Sequence, residues 1–370
     1  MDSLLPPACY LSEEIFAREQ DRIFRGLWIF AGLKQLLREN DAFLTRTIGG
    51  VPVVIQNFQG RLLAFENQCR HRQMPLQFDE YGRRRLACRY HGWVYGANGL
   101  PSSIPSRKDL YGFSEAECSS LGLKQFALEE IGNFLFVNLC ERPAAIESQF
   151  RADFLKQLAE ITSHFDDEVI HTRIPARYNW KLNFENVLDF NHVQYLHPRS
   201  FLPFMGAAQQ SAATGRRLAL EEEGAPETRL EELSCASEAP FTIKPRPWHQ
   251  RVRRYGSADV YYNFFIYPNV NFISVGGLVF LIQQFDPVSP SRTEVRFTLM
   301  TARKAQRIPA LPAILWGHIQ GEKIVLDEDI LVLERLQAGL HAGSRRSYHG
   351  AYERQLVKVA RIYTKLIGIE

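Results

Sequence analysis

Six cysteines in 370 residues, placed singly at Cys9, Cys69, Cys88, Cys118, Cys140 and Cys235, are too few and too scattered for a disulfide scaffold. They point to a reducing compartment, in which a cysteine pair binds metal rather than forms a disulfide. Cytoplasm is the expected location. Long hydrophobic runs are also missing, since stretches such as Leu278–Ile282 fall far below the ~20 residues of a membrane span. The opening MDSLLPPACY has no basic stretch ahead of an apolar core, so no signal peptide is expected. A net charge of +3 is too small to argue for a nucleic acid or membrane surface as partner. No Gly-x-Gly-x-x-Gly unit is present, so the chain carries no dinucleotide fingerprint of its own. Internal repeats are absent too. What is there is a globular composition, 45% hydrophobic and 23% charged, on a chain long enough for two domains.

Residues 12–38 carry the spacing of an amphipathic helix (Ile15, Phe16, Ile23, Phe24, Leu27) followed by a short apolar segment. From about Asp41 the period changes to two. Phe43–Ile48, Pro52–Phe58 and Leu62–Glu66 read as strands punctuated by Gly49-Gly50 and Gln59-Gly60, and Asn133–Leu139 as another. Residues 150–163 look helical. Residues 207–240, rich in Ala, Glu, Ser and Arg, read as a surface loop or lid. Strand patterns return at Val260–Ile266, Val270–Val275, Leu278–Phe285 and Thr293–Thr301, with Pro287–Ser291 a turn. Two helices, about Pro312–Leu340 and Tyr352–Leu366, end the chain. The expected division is an N-terminal helical segment over 1–40 packing with the larger domain, a small β domain over 41–145, and that larger domain over 146–370.

Two stretches carry chemistry. Cys69-x-His71 and Cys88-x-x-His91 supply two thiolates and two imidazoles from paired loops on a β scaffold. A tetrahedral zinc site and a Rieske [2Fe–2S] cluster both fit that donor set. Each loop mixes one cysteine with one histidine, which favours the cluster, because both irons then draw a ligand from both loops. The second stretch, Asn179–Pro198 (NWKLNFENVLDFNHVQYLHP), reads as a helix with Glu185, Asp189 and His192 on one face. His197 falls about 140° further round, and Pro198 disfavours helical geometry there, so that imidazole can swing beside His192. Two histidines and a carboxylate make the facial triad that holds an open Fe(II). The plain alternative is that these are half-buried or capping histidines.

CRH…CRYHGW and NWK…EN..DF.H….HP, in this order, resemble the cluster and mononuclear-iron motifs of the Rieske non-haem iron oxygenases, specifically their catalytic α subunits. The resemblance covers nearly the whole chain. It implies an α+β fold: a small all-β Rieske [2Fe–2S] domain followed by a catalytic domain of helices on an antiparallel sheet. It makes Cys69, His71, Cys88 and His91 the cluster ligands, and His192 and His197 ligands of a mononuclear Fe(II). Asp189 matches the acidic residue that links a neighbouring subunit's cluster histidine to an iron histidine. Trp93 is expected to pack over the cluster loop.

The family takes its third iron ligand from a C-terminal helix, here VLDEDILVLERLQ. From Asp329, positions +3, +4, +7 and +11 are Val332, Leu333, Leu336 and Leu340, all apolar. From Asp327 the same spacing reaches Glu334, and from Glu328 it reaches Arg335 at +7. Asp329 is therefore the carboxylate on the buried face, where an unpaired charge needs a cation. The resemblance further implies O2 and a small organic molecule as substrates, electrons from NAD(P)H through a separate reductase of flavin or ferredoxin type, and a homotrimer. Arg70, Arg72, Arg83, Arg84, Arg85 and Arg89 crowd the cluster loops and form a candidate docking patch for that reductase. The aromatic-rich YYNFFIYPNVNF (261–272) suits an arene, and aspartate rather than glutamate at 189 leans the same way. An aromatic cage for a quaternary ammonium compound of the carnitine or choline kind is the alternative. A reading from a different class is an electron-transfer or zinc-binding protein without oxygenase chemistry.

Overall fold

The strand-forming runs between Ala42 and Glu66 build the first sheet directly, and runs of consecutive buried residues such as Val53, Val54 and Ile55 show that its middle is covered on both faces. The computed structural model describes residues 5–205, 229–343 and 347–369. Two short helices, α1 (Ala8–Leu11) and α2 (Glu13–Glu19), open it, and the second runs on into a wider turn over Gln20–Phe24. The expected helix over 12–38 therefore stops early. Its apolar tail is strand β1 (Ile29–Leu33), buried at every position and paired antiparallel with a strand more than 100 residues downstream.

The chain divides into two compact units, Glu19–Ile146 and the remainder. Residues 19–40 thus group with the small sheet, and the boundary expected near 40 falls between Arg18 and Glu19. The reason is β1, whose unbroken apolar run completes a sheet edge. In this unit β2 (Ala42–Ile48), β3 (Val51–Phe58) and β4 (Arg61–Glu66) form a meander. The short strands β5 (Tyr81–Arg83), β6 (Val94–Tyr95) and β7 (Pro101–Ser103) follow. A capped helical turn, α3 (Glu115–Ser119), leads into β8 (Gln125–Ile131) and β9 (Phe134–Asn138). The main sheet is ordered β1-β9-β8-β4-β3-β2-β5, and β6 and β7 pair separately. Phe43, Val54, Phe65, Leu76, Leu86, Trp93 and Tyr95 form a core that also encloses Cys69 and Cys88.

The other unit is a six-stranded antiparallel sheet with helices packed on it. After α4 (Ala152–Thr162) comes β10 (Phe165–Ala176), a strand whose charged, weakly alternating sequence gives no period-two signal because it lies at the sheet edge. Helices α5 (Lys181–Leu188) and α6 (Val193–Leu196) follow. Most of the loop expected at 207–240 lies outside the described residues. Its end is ordered structure, strand β11 (Cys235–Pro240). Strands β12 (Val260–Ile266), β13 (Val270–Val275), β14 (Val279–Ser289) and β15 (Arg292–Ala302) complete the sheet in the order β10-β15-β14-β13-β12-β11. Strand pairing runs through Pro287 to Ser289, so the turn is shorter than expected. The long helix α7 (Leu311–Ala342) packs on β10 and β15, and α8 (Arg354–Ile367) closes the chain against α5. Among the described residues no helix is long and apolar enough to cross a membrane.

Candidate metal centres

The two Cys/His loops of the small unit are the same turn built twice. In the first, the Cys69 carbonyl accepts from Gln73 N–H and the Cys69 N–H donates to the Met74 carbonyl, both at 2.8 Å. In the second, the Cys88 carbonyl accepts from Gly92 N–H at 3.0 Å and the Cys88 N–H donates to the Trp93 carbonyl at 2.8 Å. Gln73 (φ 59°) and Gly92 (φ 73°) occupy the same left-handed step. A Cβ at Gly92 would also press on Pro105 Cγ at 3.1 Å, which favours glycine there. Each turn drives its cysteine inward and lifts its histidine outward. Cys69 and Cys88 are buried, while His71 and His91 are half-exposed with Nδ1 atoms 3.1 Å apart. Two inner thiols and two outer imidazoles fit a cluster with one iron held by cysteine and the other by histidine.

The surroundings hold that quartet in place. Trp93 is buried and stacks on His71, 5.2 Å between centroids at 7°. The Tyr95 hydroxyl accepts from Arg70 N–H at 3.0 Å, which frees its proton for Cys69 Sγ at 3.3 Å. Burial pushes the Tyr95 phenol and the Cys69 thiol above their ordinary values. Arg84 turns inward: its guanidinium donates to the Ala87 carbonyl (2.9 Å), to Gln77 Oε1 (2.7 Å) and to the Leu76 carbonyl. It ties the end of the first loop to the start of the second. This removes it from the docking patch that its sequence neighbours suggested.

In the second unit the expected single helix over 179–198 is two. α5 stops at Leu188, and Asp189 is extended (φ −99°, ψ 104°) with its carboxylate accepting from Asn191 N–H at 2.8 Å. Aspartate and asparagine compete with the helix for backbone hydrogen bonds, and here they win. The shared face of Glu185, Asp189 and His192 therefore does not form. Glu185 instead accepts a hydrogen bond from the Tyr10 hydroxyl, and burial pushes its carboxyl up to about 7.

The break brings the two histidines together at the short α6. His192 precedes it and His197 (φ −116°) ends it, with ring centroids 5.3 Å apart. α7 brings Asp329 opposite. One donor atom each from His192, His197 and Asp329 lies within 4.8 Å of the others. Asp329 Oδ1 is 3.0 Å from His197 Nε2 and 3.9 Å from His192 Nε2. Two imidazoles and one carboxylate converging from one side fit a mononuclear iron with open positions. Asp327 points away, into an exposed ion pair with Lys323. The Asp189 carboxylate stands 3.8 Å from His192 Nδ1, beyond hydrogen-bonding range.

Three further residues close around the triad. Glu328 Oε2 lies 2.6 Å from His197 Nδ1 and also accepts from Ser200 Oγ at 2.5 Å. Asn186 Nδ2 donates to Asp329 Oδ1 at 3.0 Å. The sequence pattern assigned Glu328 to the side of Arg335, but the buried His197 beside the helix draws it in. Burial alone would lower the His197 pKa, yet the hydrogen bonds to Asp329 and Glu328 outweigh it and hold the imidazole above its usual value. His192 lies below its usual value because burial dominates. α7 is held in register by Arg177, which pairs with Glu334 at 3.0 Å, and by the Asn179 N–H, which donates to Gln337 Oε1 at 2.9 Å.

An aromatic group follows directly on His197. Phe201, Phe241 and Tyr261 meet pairwise with centroids 5.4–5.6 Å apart. The Phe201 N–H donates to the His197 carbonyl at 3.3 Å, which ties the group to the end of the triad's own segment.

Comparison with known proteins accounts for both units. Residues 27–126 match the Rieske [2Fe-2S] domain, and residues 163–368 match the ring hydroxylating alpha subunit (catalytic domain). The chain is 32% identical over 200 residues to the glycine betaine monooxygenase oxygenase subunit of Pseudomonas aeruginosa, covering 52% of this chain and 44% of that one. It is 32% identical over 197 residues to the large oxygenase component of the naphthalene 1,2-dioxygenase system of Pseudomonas aeruginosa, covering 51% and 43%. The match thus spans less than half the length of these relatives. A solved quaternary ammonium Rieske monooxygenase, described for carnitine oxidation by gut microbiota and inter-subunit electron transfer, superposes with a TM-score of 0.74 at 18% identity over 97% of this chain and 94% of that one. The chain belongs to the ring-hydroxylating alpha-subunit family, with a Rieske [2Fe–2S] domain ahead of a catalytic domain of the kind that binds a mononuclear iron.

Proposed function

We propose that this protein is the terminal oxygenase of a multicomponent system, and that it inserts one oxygen atom of O2 into a small quaternary ammonium compound. The overall balance is RH + O2 + 2 e⁻ + 2 H⁺ → ROH + H2O, with the electrons drawn from NAD(P)H by a separate flavin or ferredoxin-type reductase. The observation that carries the oxygenase reading is the convergence of His192, His197 and Asp329 in one chain with the Cys69/His71/Cys88/His91 quartet. An electron-transfer or zinc protein has no use for the first group. Bound to these residues, the cluster would supply single electrons and the iron would offer O2 an open position beside the substrate.

The chain's own side chains do the rest. Glu328 fixes the orientation of His197, as carboxylates beside metal-binding histidines do. Asn186 holds one oxygen of Asp329. Asp189 is placed to couple His192 to a neighbouring copy's cluster histidine in a homotrimer, a role carried from the family resemblance and supported by its 3.8 Å approach. Phe201, Phe241 and Tyr261 offer ring faces and exclude water, which suits a cation without N–H donors. That cluster and the betaine and carnitine relatives support an ammonium substrate over the arene the sequence favoured.

The test is metal and acid-labile sulfide analysis with EPR of the reduced protein, followed by O2 uptake with a surrogate reductase. About three irons and two sulfides per chain, with uptake stimulated by quaternary ammonium compounds, is the expected result. Zinc without sulfide would refute the oxygenase reading. Uptake stimulated by arenes alone would return the substrate to the aromatic class.

A further inference from the structure

The wall beyond the aromatic group has a consistent chemistry. Glu322 is seven residues, two helical turns, before Asp329 on α7, so both carboxylates lie on one face about 10 Å apart along the axis. Tyr261 lies within electrostatic reach of both. No cation among the described residues pairs with Glu322, and burial alone pushes its carboxyl up to about 7. On β12, Tyr261, Asn263 and Phe265 point to the same side as alternate residues, and Phe265 meets Phe184 of α5 at 6.3 Å. Asn263 is only 7% exposed, and its side-chain oxygen has no hydrogen-bond partner among the described residues. The wall therefore presents a carboxylate without a paired cation among the described residues, an amide oxygen without a hydrogen-bond partner, and aromatic faces.

We propose that Glu322 makes this site selective for an ammonium compound whose far end is a hydrogen-bond donor, an amino alcohol, and against one whose far end is a carboxylate. The inference rests on the ammonium reading above. With a methyl group held at the triad and the charged nitrogen against Tyr261, Phe201 and Phe241, the tail of a small substrate extends along α7 toward Glu322. A hydroxyl there finds two acceptors. A carboxylate there meets a like charge that no cation among the described residues offsets, and like-charge juxtapositions are unfavourable.

The test is anaerobic calorimetric titration of the iron-loaded holoprotein with choline, glycine betaine, the uncharged choline isostere 3,3-dimethyl-1-butanol, and naphthalene. Choline is expected to bind at least about 100-fold more tightly than glycine betaine and about tenfold more tightly than the neutral isostere. Glu322→Gln, checked for an unchanged cluster spectrum and melting temperature, should weaken choline and bring the two ammonium compounds within about threefold. Tyr261→Leu should weaken both together. Equal binding of choline and glycine betaine by the wild type, or a gap that survives Glu322→Gln, would overturn the role of Glu322 and leave the ammonium reading standing. Failure of both ammonium compounds alongside binding of the isostere or naphthalene would overturn both.

Discussion

The two metal centres are built by opposite strategies. In the small unit the histidines that meet are 20 residues apart, and both loops are copies of one turn closed by its own backbone. In the larger unit His197 meets a carboxylate 132 residues away, across a helix break and along a 32-residue helix. The first centre depends on local geometry and the second on register. A local turn keeps its shape as long as its own hydrogen bonds hold. A long-range triad is correct only if Arg177–Glu334 and Asn179–Gln337 stop α7 at the right point of its slide and rotation.

The largest expected effect separates the two centres. Asp329→Ala should remove the mononuclear iron and abolish substrate-dependent O2 uptake, while the visible and EPR spectra of the cluster stay unchanged. Cys88→Ser should do the reverse, losing the cluster spectrum while Fe(II) binding at the triad survives. Loss of both metals in either variant would break the contrast. Next in size is Glu328→Gln, which keeps the shape but removes the charge beside His197. Iron affinity should fall about 10- to 100-fold, as for other outer partners of metal-binding histidines. Competition with a chelator measures it, and an unchanged affinity would mean that packing alone orients His197.

The same contrast decides what could be read from the chain alone. The spacing of Cys69, His71, Cys88 and His91 was legible because the turn that presents them is encoded within a few residues. Asp329 was legible only in part. Of the apolar residues that share its helical spacing, Leu333 is buried but Leu336 is 50% exposed, and what places Asp329 inside is the pair of histidines opposite. Glu328 was not, since its reason for facing inward is His197, on a different element. The helix break at Asp189 was missed because apolar spacing runs on through it and only the Asx turn to Asn191 stops it. β10 was missed because an edge strand half exposed to water does not need to alternate. β1 was missed because its apolar run is too short to distinguish from a helix tail.

A smaller effect belongs to the local centre. Tyr95→Phe removes one hydrogen bond to Cys69 Sγ and leaves the backbone turns untouched. A bond to sulfur stabilises the reduced, more negative cluster, so the variant should be harder to reduce. With a bond worth about 0.5–1.5 kcal/mol and 59 mV per tenfold change for one electron, the potential should fall by about 20–60 mV in a redox titration. Iron affinity at the triad should not move. A parallel change in both centres would show that the hydroxyl acts on global stability.

The smallest effect concerns the arginines, and the structure sorts them before any experiment. Arg84 is spent inside the loops on three acceptors. Arg83 and Arg89 make long, exposed ion pairs with Glu39 and Asp79, at 3.8 and 3.9 Å, of a kind worth little. Arg70, Arg72 and Arg85 are exposed, and no ion pair joins them to any described residue. If the reductase docks at the cluster loops, long-range attraction to these three should set the encounter rate and its dependence on salt. Reversing Arg72 and Arg85 to glutamate should raise the KM for an acidic reductase severalfold at low salt and flatten the salt dependence. Surface changes of this kind shift stability by no more than about 0.5 kcal/mol, so the melting temperature, the cluster potential and the iron affinity should all hold. An unchanged KM and salt profile would place the reductase on another face and leave the local centre defined by its turns alone.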